Sequence, residues 1–249
     1  GSYTRKVLED WTRAGHKLVL CSGRDINSVG SVKEYLALDY PGMYLVGYNG
    51  GQIYDCEKEK TLYKITLSIP QVKHITQTAW ELGVHCHTYT DTHIVSPQDN
   101  EQFRFYRRVI KTPVIYSQDV TAVMTEGACK CIAVEIRDHE KLENLRLKLL
   151  PWEEKEGVSM LYSNPNYLEV FPAVSGKGAS VLKLCEILGI NPLFSVAAGD
   201  EQNDLSMIQA AGMGIAMVNG SEEVKMAATV ITTKDNDHDG LAEVLADLI

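Results

Sequence analysis

Apolar positions in the first part of the chain switch between helical spacing and short continuous runs. The first set recurs at the spacing of one helix face and consists of Val7, Leu8, Trp11 and Ala14. Residues 17–21 then form an apolar run of strand length, 26–36 return to helical spacing, and 43–47 form a second apolar run. Strand, glycine-containing turn, helix and strand in this order predict an α/β fold with a parallel sheet.

The middle of the chain has a different pattern. Helical spacing covers 68–82 and 138–150, strand-like alternation covers 85–96, and 130–136 is an apolar strand. These elements predict a separate α+β domain at residues 54–162, inserted between two parts of the first domain.

The α/β rhythm returns after the insertion. The predicted strands are 167–171, 194–198, 214–218 and 230–232, and the predicted helices are 177–188, 203–211, 222–228 and 241–248. We therefore predict a discontinuous core domain at 1–53 and 163–249. In such sheets ligands bind at the carboxyl ends of the strands.

Composition and charge narrow the class of protein. The formal net charge of −9 disfavours a general nucleic-acid binder, which needs a basic face to neutralise phosphates. No apolar run approaches the roughly 20 residues of a membrane helix, and the N-terminus has no signal-peptide pattern. The six cysteines are scattered without a C-x-x-C motif. We expect a cytoplasmic protein with reduced thiols that binds neither nucleic acid nor membrane.

Residues 199–204 read Gly-Asp-Glu-Gln-Asn-Asp at the junction of a predicted strand and helix. Asp200 would lie at the end of the strand, with Asn203 and Asp204 in the first turn of the helix. Carboxylate oxygens in one place suit a hard cation such as Mg²⁺, so Asp200 and Asp204 are candidate metal ligands. The structural alternative is a capped helix, because Asp and Asn are also common N-terminal residues.

Two further sites suggest phosphate binding. Ser22 and Gly23 offer a hydroxyl and unhindered backbone N–H groups at the end of a strand. Lys177 lies at a helix start between two glycines, where the helix dipole disfavours a cation, so it could neutralise a phosphate or a carboxylate cluster. The alternatives are an ordinary strand-to-helix turn and a solvated surface lysine.

In combination these elements resemble one family. Their order along the chain is similar to that of the Cof-like branch of the haloacid-dehalogenase superfamily, in the motifs Ser22-Gly23-Arg24, Asn49-Gly50-Gly51, Lys177-Gly178 and Gly199 to Asp204. Three other segments also resemble the family, namely 167–172, 214–217 and Asp239-Gly240. The resemblance extends over essentially the whole chain and is weakest in the inserted domain.

The resemblance implies an α/β protein with a Rossmann-like parallel-sheet core and an inserted α+β cap of type IIB. It implies a phosphohydrolase that uses Mg²⁺ as cofactor, acts on a small phosphorylated metabolite through an aspartyl-phosphate, and selects the substrate with the cap. The implied site residues are Ser22 and Lys177 for catalysis, Asp200 and Asp204 for the metal, and Ser22, Gly23, Asn49, Lys177 and Asn203 for the substrate. Asp204 would brace Lys177 or the water shell of the metal.

The first motif of the family, Asp-x-Asp-Gly-Thr, is absent from the sequence. The pairs Asp235/Asp237 and Asp237/Asp239 have the carboxylate spacing but lie in a polar stretch without a strand. We therefore expect the nucleophilic aspartate upstream of residue 1, on a strand at the centre of the sheet, and we expect the chain to be inactive without it.

Two other functions remain open at this stage. One is a sugar phosphomutase, and the other is a phosphometabolite-binding protein that has lost its nucleophile. For the protein as a whole we expect a small phosphorylated metabolite as the partner and a monomer or weak homodimer as the assembly.

The segment His85-Cys86-His87 raises the question of a second metal site. Alternation along a strand would point both imidazoles to one face. Because no further ligand stands at a convincing spacing, a structural or substrate-contacting role is favoured.

Overall fold

The computed structural model describes residues 1–108 and 110–249, and the chain divides into two units. Unit 1 consists of Gly1–Tyr63 and Gly176–Ile249, and unit 2 consists of Lys64–Ser175. Unit 2 is thus inserted between the two parts of unit 1.

The helices and strands follow one another along the chain in the order that their numbers give. The α-helices of the described residues are α1 Ser2–Arg13, α2 Ile26–Tyr35, α3 Ile69–Glu81, α4 Glu101–Tyr106, α5 His139–Glu156, α6 Lys177–Leu188, α7 Leu205–Ala210, α8 Glu222–Ala227 and α9 Gly240–Ala246. The strands are β1 Val19–Cys21, β2 Tyr44–Gly47, β3 Gln52–Asp55, β4 Lys60–Lys64, β5 His85–Tyr89, β6 Ile94–Ser96, β7 Val114–Tyr116, β8 Cys131–Val134, β9 Val158–Asn164, β10 Tyr167–Pro172, β11 Val196–Gly199, β12 Met213–Ala216 and β13 Val230–Ile231. Short 3₁₀ turns occupy Tyr48–Gly50, Val120–Val123, Pro192–Phe194 and Gln202–Asp204.

Unit 1 contains two sheets. In the first, β1 is parallel to β2, and β3 and β4 continue the sheet beyond β2. In the second, β11, β12 and β13 are all parallel. Helices α1 and α9 bury Val7, Trp11 and Leu245 against the second sheet. The predicted α/β class is confirmed, with strands joined by helices as the sequence pattern indicates.

Unit 2 is built on a six-stranded sheet with the order β7-β6-β5-β8-β10-β9. Helices α3 and α5 supply apolar side chains, including Val72, Ile75 and Leu145, to one continuous core with residues of β5, β8 and β10. Ser68 caps α3 with a reciprocal capping box to Gln71, which fixes where this helix begins.

The two boundaries between the units lie later in the chain than the sequence analysis placed them. The hairpin of β3 and β4 belongs to the sheet of unit 1, so that part of unit 1 ends at Tyr63 rather than at 53. Strand β10, predicted as a core strand, instead pairs antiparallel with β8 and β9 in unit 2. The reason is that strand pairing is a non-local property, whereas the sequence pattern reports only that a strand exists.

Helix α5 extends to Glu156 instead of ending near 150 as predicted. Pro151 lies inside it, although proline removes one backbone donor. Partly buried Trp152 packs against the core, and the helix ends only at Gly157, which adopts the left-handed conformation with φ 65°. Burial of the apolar face therefore outweighs the local preference of proline.

All six cysteines are free thiols. Within residues 1–108 and 110–249, no helix has both the length and the apolar character required to cross a membrane.

A histidine pair is buried in unit 2 beneath α4. His87 Nδ1 lies 3.3 Å from His85 Nε2, while the rings of Phe103 and Tyr106 pack against them. Burial lowers the pKa of His85 to about 4. Burial, the neighbouring His85 and the Lys130 ammonium lower the pKa of His87 well below its ordinary value. Both imidazoles are therefore neutral in the folded protein at neutral pH.

We predict that the protein loses stability in acid through this pair. Because both folded-state pKa values lie below the unfolded value near 6.5, the unfolded chain binds more protons once the pH falls below about 6.5. The free energy of unfolding should fall by up to about 1.4 kcal/mol per pH unit for each histidine. Urea unfolding at pH 7 and pH 5 measures this loss. His87→Phe should reduce it, and His139→Gln, at an exposed position, should leave it unchanged. An equal loss in all three proteins would contradict the prediction.

Candidate active site

The turn after β1 brings the ends of the first two strands together. Ser22 donates its backbone N–H to Val46 O at 2.9 Å and accepts the N–H of Asn49 on its carbonyl at 3.1 Å. The Ser22 hydroxyl accepts the N–H of Arg24 at 3.2 Å. These bonds place Ser22 beside the Asn49 turn, and Ser22 and Asn49 are two of the predicted site residues.

The turn after β2 has an unusual backbone. Tyr48 and Asn49 both have φ 54° and Gly50 has φ 95°. For residues with a side chain, this left-handed conformation costs about 1–2 kcal/mol each. A Cβ at Gly23 would lie 2.9 Å from Asn49 Oδ1. The strained turn therefore holds the buried Asn49 amide against Gly23.

Gly50 connects this turn to the helix that carries Lys177. A Cβ at Gly50 would come within 2.2 Å of Gly176 O, and Gly176 is the residue that immediately precedes α6. Such a contact is too close for any side chain, so only glycine permits the approach. Asn49 and Lys177 are thus held near each other by direct backbone packing.

Lys177 and Asp204 form a buried ion pair. The distance from Lys177 Nζ to Asp204 Oδ1 is 2.5 Å, and the side chains are 6% and 9% exposed. The other carboxylate oxygen, Oδ2, accepts the N–H groups of Asp200 at 3.1 Å and Glu201 at 3.2 Å. Gly199 makes room for this arrangement, because a Cβ there would lie 2.4 Å from Asp204 Cβ. Asp204 thereby fixes both the lysine ammonium and the Asp200 loop.

Asp200 follows β11 directly, as predicted. Its carbonyl accepts the N–H of Ser221 at 2.9 Å, and a Cβ at Gly220 would lie 3.0 Å from its Cα. The main chain of Asp200 is therefore held by Ser221 and Gly220, while Asp200 as a whole stays partly exposed. Asn203 lies in the exposed part of the 3₁₀ turn rather than in the helix that was predicted to begin there.

The pKa of the Cys21 thiol is affected by the charges of the Lys177–Asp204 ion pair. Burial raises the pKa of Cys21 to about 11, with the Lys177 ammonium lowering it and the Asp204 carboxylate raising it. Because Cys21 directly precedes Ser22, the end of β1 lies within electrostatic range of the pair. The sequence analysis did not single out Cys21, and nothing in its local pattern distinguishes it from a core residue.

The two predicted metal ligands, Asp200 and Asp204, differ in how far their carboxylate oxygens are engaged by protein donors. Both oxygens of Asp204 already accept hydrogen bonds from protein donors, so Asp204 holds Lys177 and the Asp200 loop in position. Asp200 is the carboxylate that remains accessible. In the part of the chain that the structure describes, no three residues among His, Cys, Asp and Glu are grouped to hold a metal, the His85–His87 pair included. A cation at Asp200 would therefore need oxygen ligands from other sources, which agrees with the preference of Mg²⁺ for water and phosphate.

An apolar cavity of about 530 Å³ lies between the two sheets of unit 1. Its lining includes Val19 and Cys21 from β1 and Val196 and Ala198 from β11. Among the described strands, β1 and β11 each stand at the edge of their sheet. Edge strands carry unpaired backbone N–H and C=O groups, so the cavity is flanked by two strands that can each accept a further partner.

The fold agrees with what comparison to known proteins finds. A sequence model of the haloacid dehalogenase-like hydrolase family matches residues 1–245, so the chain belongs to this family of hydrolases. A crystal structure of a haloacid dehalogenase-like hydrolase from Bacteroides thetaiotaomicron has 30% sequence identity and a TM-score of 0.90, covering 100% of this chain and 92% of that chain.

Two curated relatives are phosphatases. The chain is 27% identical over 269 residues to the 5-amino-6-(5-phospho-D-ribitylamino)uracil phosphatase YwtE of Bacillus subtilis, over 98% of this chain and 90% of the relative. It is 24% identical over 243 residues to the pyridoxal phosphate phosphatase YbhA of Escherichia coli, over 93% of this chain and 86% of the relative. The predicted family is confirmed, and the phosphatase class is supported by these relatives.

We predict that Gly50→Ala destabilises the protein more than Gly15→Ala does. Gly15 has a similar φ of 94°, but a Cβ there would meet nothing within 4 Å. Backbone strain alone should lower the free energy of unfolding by about 1–2 kcal/mol at Gly15. The contact with Gly176 O should add about 1–3 kcal/mol at Gly50. Urea unfolding measures both losses, and equal losses would mean that the Asn49 turn can move away from α6 freely.

Proposed function

We propose that this protein is a magnesium-dependent phosphatase that acts on a small phosphorylated metabolite through an aspartyl-phosphate intermediate. The observation that carries the proposal is the cluster at the strand ends of unit 1. There the Lys177–Asp204 pair is joined by hydrogen bonds to the Asp200 loop and by backbone packing to the Asn49 turn. Phosphoryl transfer requires charge neutralisation and positioning above all, and these groups supply both.

Each group has a defined part in binding the phosphate. The Ser22 hydroxyl and the N–H of Gly23 would donate to phosphoryl oxygens, and the Asn49 amide would add a further contact. The Lys177 ammonium would neutralise the charge that develops during transfer. Because Lys177 is held by Asp204 before substrate arrives, little reorganisation is required at that stage.

The proposed metal ligand of this chain is Asp200, with Asp204 acting through the backbone of the Asp200 loop. When bound, Mg²⁺ would neutralise phosphoryl oxygens and help to align the reacting groups. Asp204 would keep Asp200 oriented by accepting its N–H. Asn203, in the same turn, would contact the substrate or a metal-bound water.

The nucleophile is proposed to be an aspartate on a strand that precedes residue 1. Such a strand would fit between the edges of β1 and β11, satisfying their backbone groups and filling the apolar cavity. In the first step the carboxylate would form a bond to phosphorus while the bond to the leaving oxygen breaks, and the leaving alcohol would take up a proton. Water would then cleave the acyl phosphate, releasing phosphate and restoring the carboxylate.

The substrate class follows from chemistry shared with the relatives. The two curated phosphatases named above act on a phosphorylated ribitylaminouracil and on pyridoxal phosphate, both of which are small phosphate esters. We propose the same broad class here without choosing a member.

We expect phosphate release from such esters to require both Mg²⁺ and Lys177. Lys177→Met should lower kcat/KM by at least about 100-fold, because one preorganised charge contact to the transition state is lost. Lys183→Met changes a more exposed lysine of the same helix, paired with Glu186, and should retain full activity. The measurement is phosphate release by the protein that includes the proposed N-terminal strand, over a panel of phosphate esters, with EDTA removing activity and Mg²⁺ restoring it.

Three other results would overturn the proposal of a magnesium-dependent phosphatase. Ligand binding without turnover would indicate a binding protein. Transfer that depends on a bisphosphorylated activator would indicate a phosphomutase. Activity that survives EDTA would exclude the role of the metal.

We also expect the phosphorylated enzyme to be trapped during turnover. Rapid quenching followed by borohydride reduction converts an aspartyl-phosphate to a residue that peptide mass spectrometry identifies. The modified aspartate should lie on a strand N-terminal to residue 1. A trapped aspartate within residues 1–249 would disprove the proposed location, and turnover without any trapped species would disprove the covalent intermediate.

A further inference from the structure

The helix that carries Lys177 has no cap of its own. The first N–H groups of any α-helix lack partners within the helix, and a side chain at the N-cap position usually satisfies one of them. In α6 that position is Gly176, which has no side chain and makes no cap hydrogen bond. The start of α6 therefore depends on groups from elsewhere in unit 1.

Ser206, in the first turn of α7, supplies the missing acceptor. Its hydroxyl oxygen accepts the N–H of Gly178 at 3.1 Å. The backbones are also in close contact, since a Cβ at Gly178 would come within 2.3 Å of Ser206 O. Only glycine at 178 allows this approach, so the hydrogen bond and the close packing specify the same position of α6 against α7.

A second bond joins the adjacent residue of α6 to the same segment of chain. Lys177 bonds Asp204, and the next residue, Gly178, bonds Ser206. Asp204 and Ser206 lie two residues apart where the 3₁₀ turn Gln202–Asp204 continues into α7. The first bond fixes the ammonium end of the lysine, and the second fixes the backbone from which the side chain extends.

We propose that Ser206 is a positioning residue for Lys177. A lysine side chain has several rotatable bonds, so anchoring its ammonium alone leaves its stem free to shift with the helix. The bond from Ser206 removes that freedom by holding the first turn of α6 in place. The catalytic consequence of this role rests on the proposed phosphatase function, but the structural role does not.

The structural role is tested by the reactivity of the Lys177 amine. Acetylation with a soluble N-hydroxysuccinimide ester, followed by peptide mass spectrometry, gives the rate at Lys177 relative to Lys183 in the same sample. Ser206→Ala should raise this ratio about fivefold, the equivalent of one lost hydrogen bond of about 1 kcal/mol. Ser206→Thr, which keeps the hydroxyl, should restore the ratio of the unmodified protein.

A matched control is available at the other end of β11. The Ser195 hydroxyl accepts the N–H of Gly212 at 3.3 Å, a similar bond between neighbouring elements. Ser195→Ala should leave the Lys177 ratio unchanged. Alanine also has a higher helix propensity than serine, which offsets part of the lost hydrogen bond, so Ser206→Ala should change the melting temperature only slightly. An unchanged ratio in Ser206→Ala, or an equal rise in Ser195→Ala, would overturn the proposal.

Kinetics of the enzyme with its nucleophile then test the catalytic consequence. Ser206→Ala should lower kcat about fivefold with little change in KM, and Ser206→Thr should recover most of kcat. A change confined to KM would overturn the positioning role in catalysis. If the unmodified protein releases no phosphate at all, the proposed function fails, while the acetylation ratio still decides the role of Ser206 independently.

Discussion

The buried ion pair between Lys177 and Asp204 is the interaction on which the geometry of the site depends. Removing two charges from water is costly, and the attraction between them offsets this cost only when their hydrogen bonds are well satisfied. Here Asp204 satisfies the requirement with both oxygens, one on the Lys177 ammonium and the other on the backbone of the Asp200 loop. Loss of either partner would leave an uncompensated buried charge. Through its two oxygens, Asp204 joins the proposed phosphate-binding lysine and the proposed metal-binding loop into one connected site.

Close packing at glycines determines how closely the parts of this candidate site approach one another. A Cβ would meet backbone atoms at Gly50 and Gly178 and the Asp204 side chain at Gly199. These three contacts connect the Asn49 turn to the start of α6, α6 to α7, and the end of β11 to Asp204. The backbone that carries Lys177 is thus positioned by close packing at glycines as well as by the ion pair. Substitutions at such glycines would alter the site even though they remove no functional group.

Unit 1 also has two structural features, an apolar cavity and a strained turn, that the candidate site by itself does not require. The cavity between β1 and β11 is apolar and flanked by edge strands, and unpaired edges are generally covered or paired in stable proteins. The strained residues Tyr48 and Asn49 likewise persist only because the surrounding contacts hold them. The strained turn follows the carboxyl end of β2, where ligands of parallel sheets are bound.

Local sequence signals located most of the helices, and the structure brings several of the predicted site residues together. Helix α6 has the predicted bounds, 177–188, and the structure brings together Ser22, Gly23 and Asn49, and likewise Lys177, Asp200 and Asp204. The strand β9 was missed, although the turn Asn164-Pro165-Asn166 before β10 was a usable hairpin signal. The metal role of Asp204 was ambiguous in the sequence because an aspartate in a helical first turn can cap, brace or bind a cation.

The sequence by itself predicted most of the helices and strands and the candidate site residues, because spacing, capping residues and glycines act over a few positions. Only the tertiary structure decided that β10 pairs within unit 2, that α5 continues through Pro151, and that both oxygens of Asp204 are engaged. The pairing of β10, the burial of the α5 face and the bond from Lys177 to Asp204 depend on contacts between residues far apart in the chain, whereas the second Asp204 oxygen bonds residues only three and four positions away. Hydrogen bonds and buried faces formed between distant residues produce no periodic pattern in the sequence. Their energy contributes only once the chain has folded.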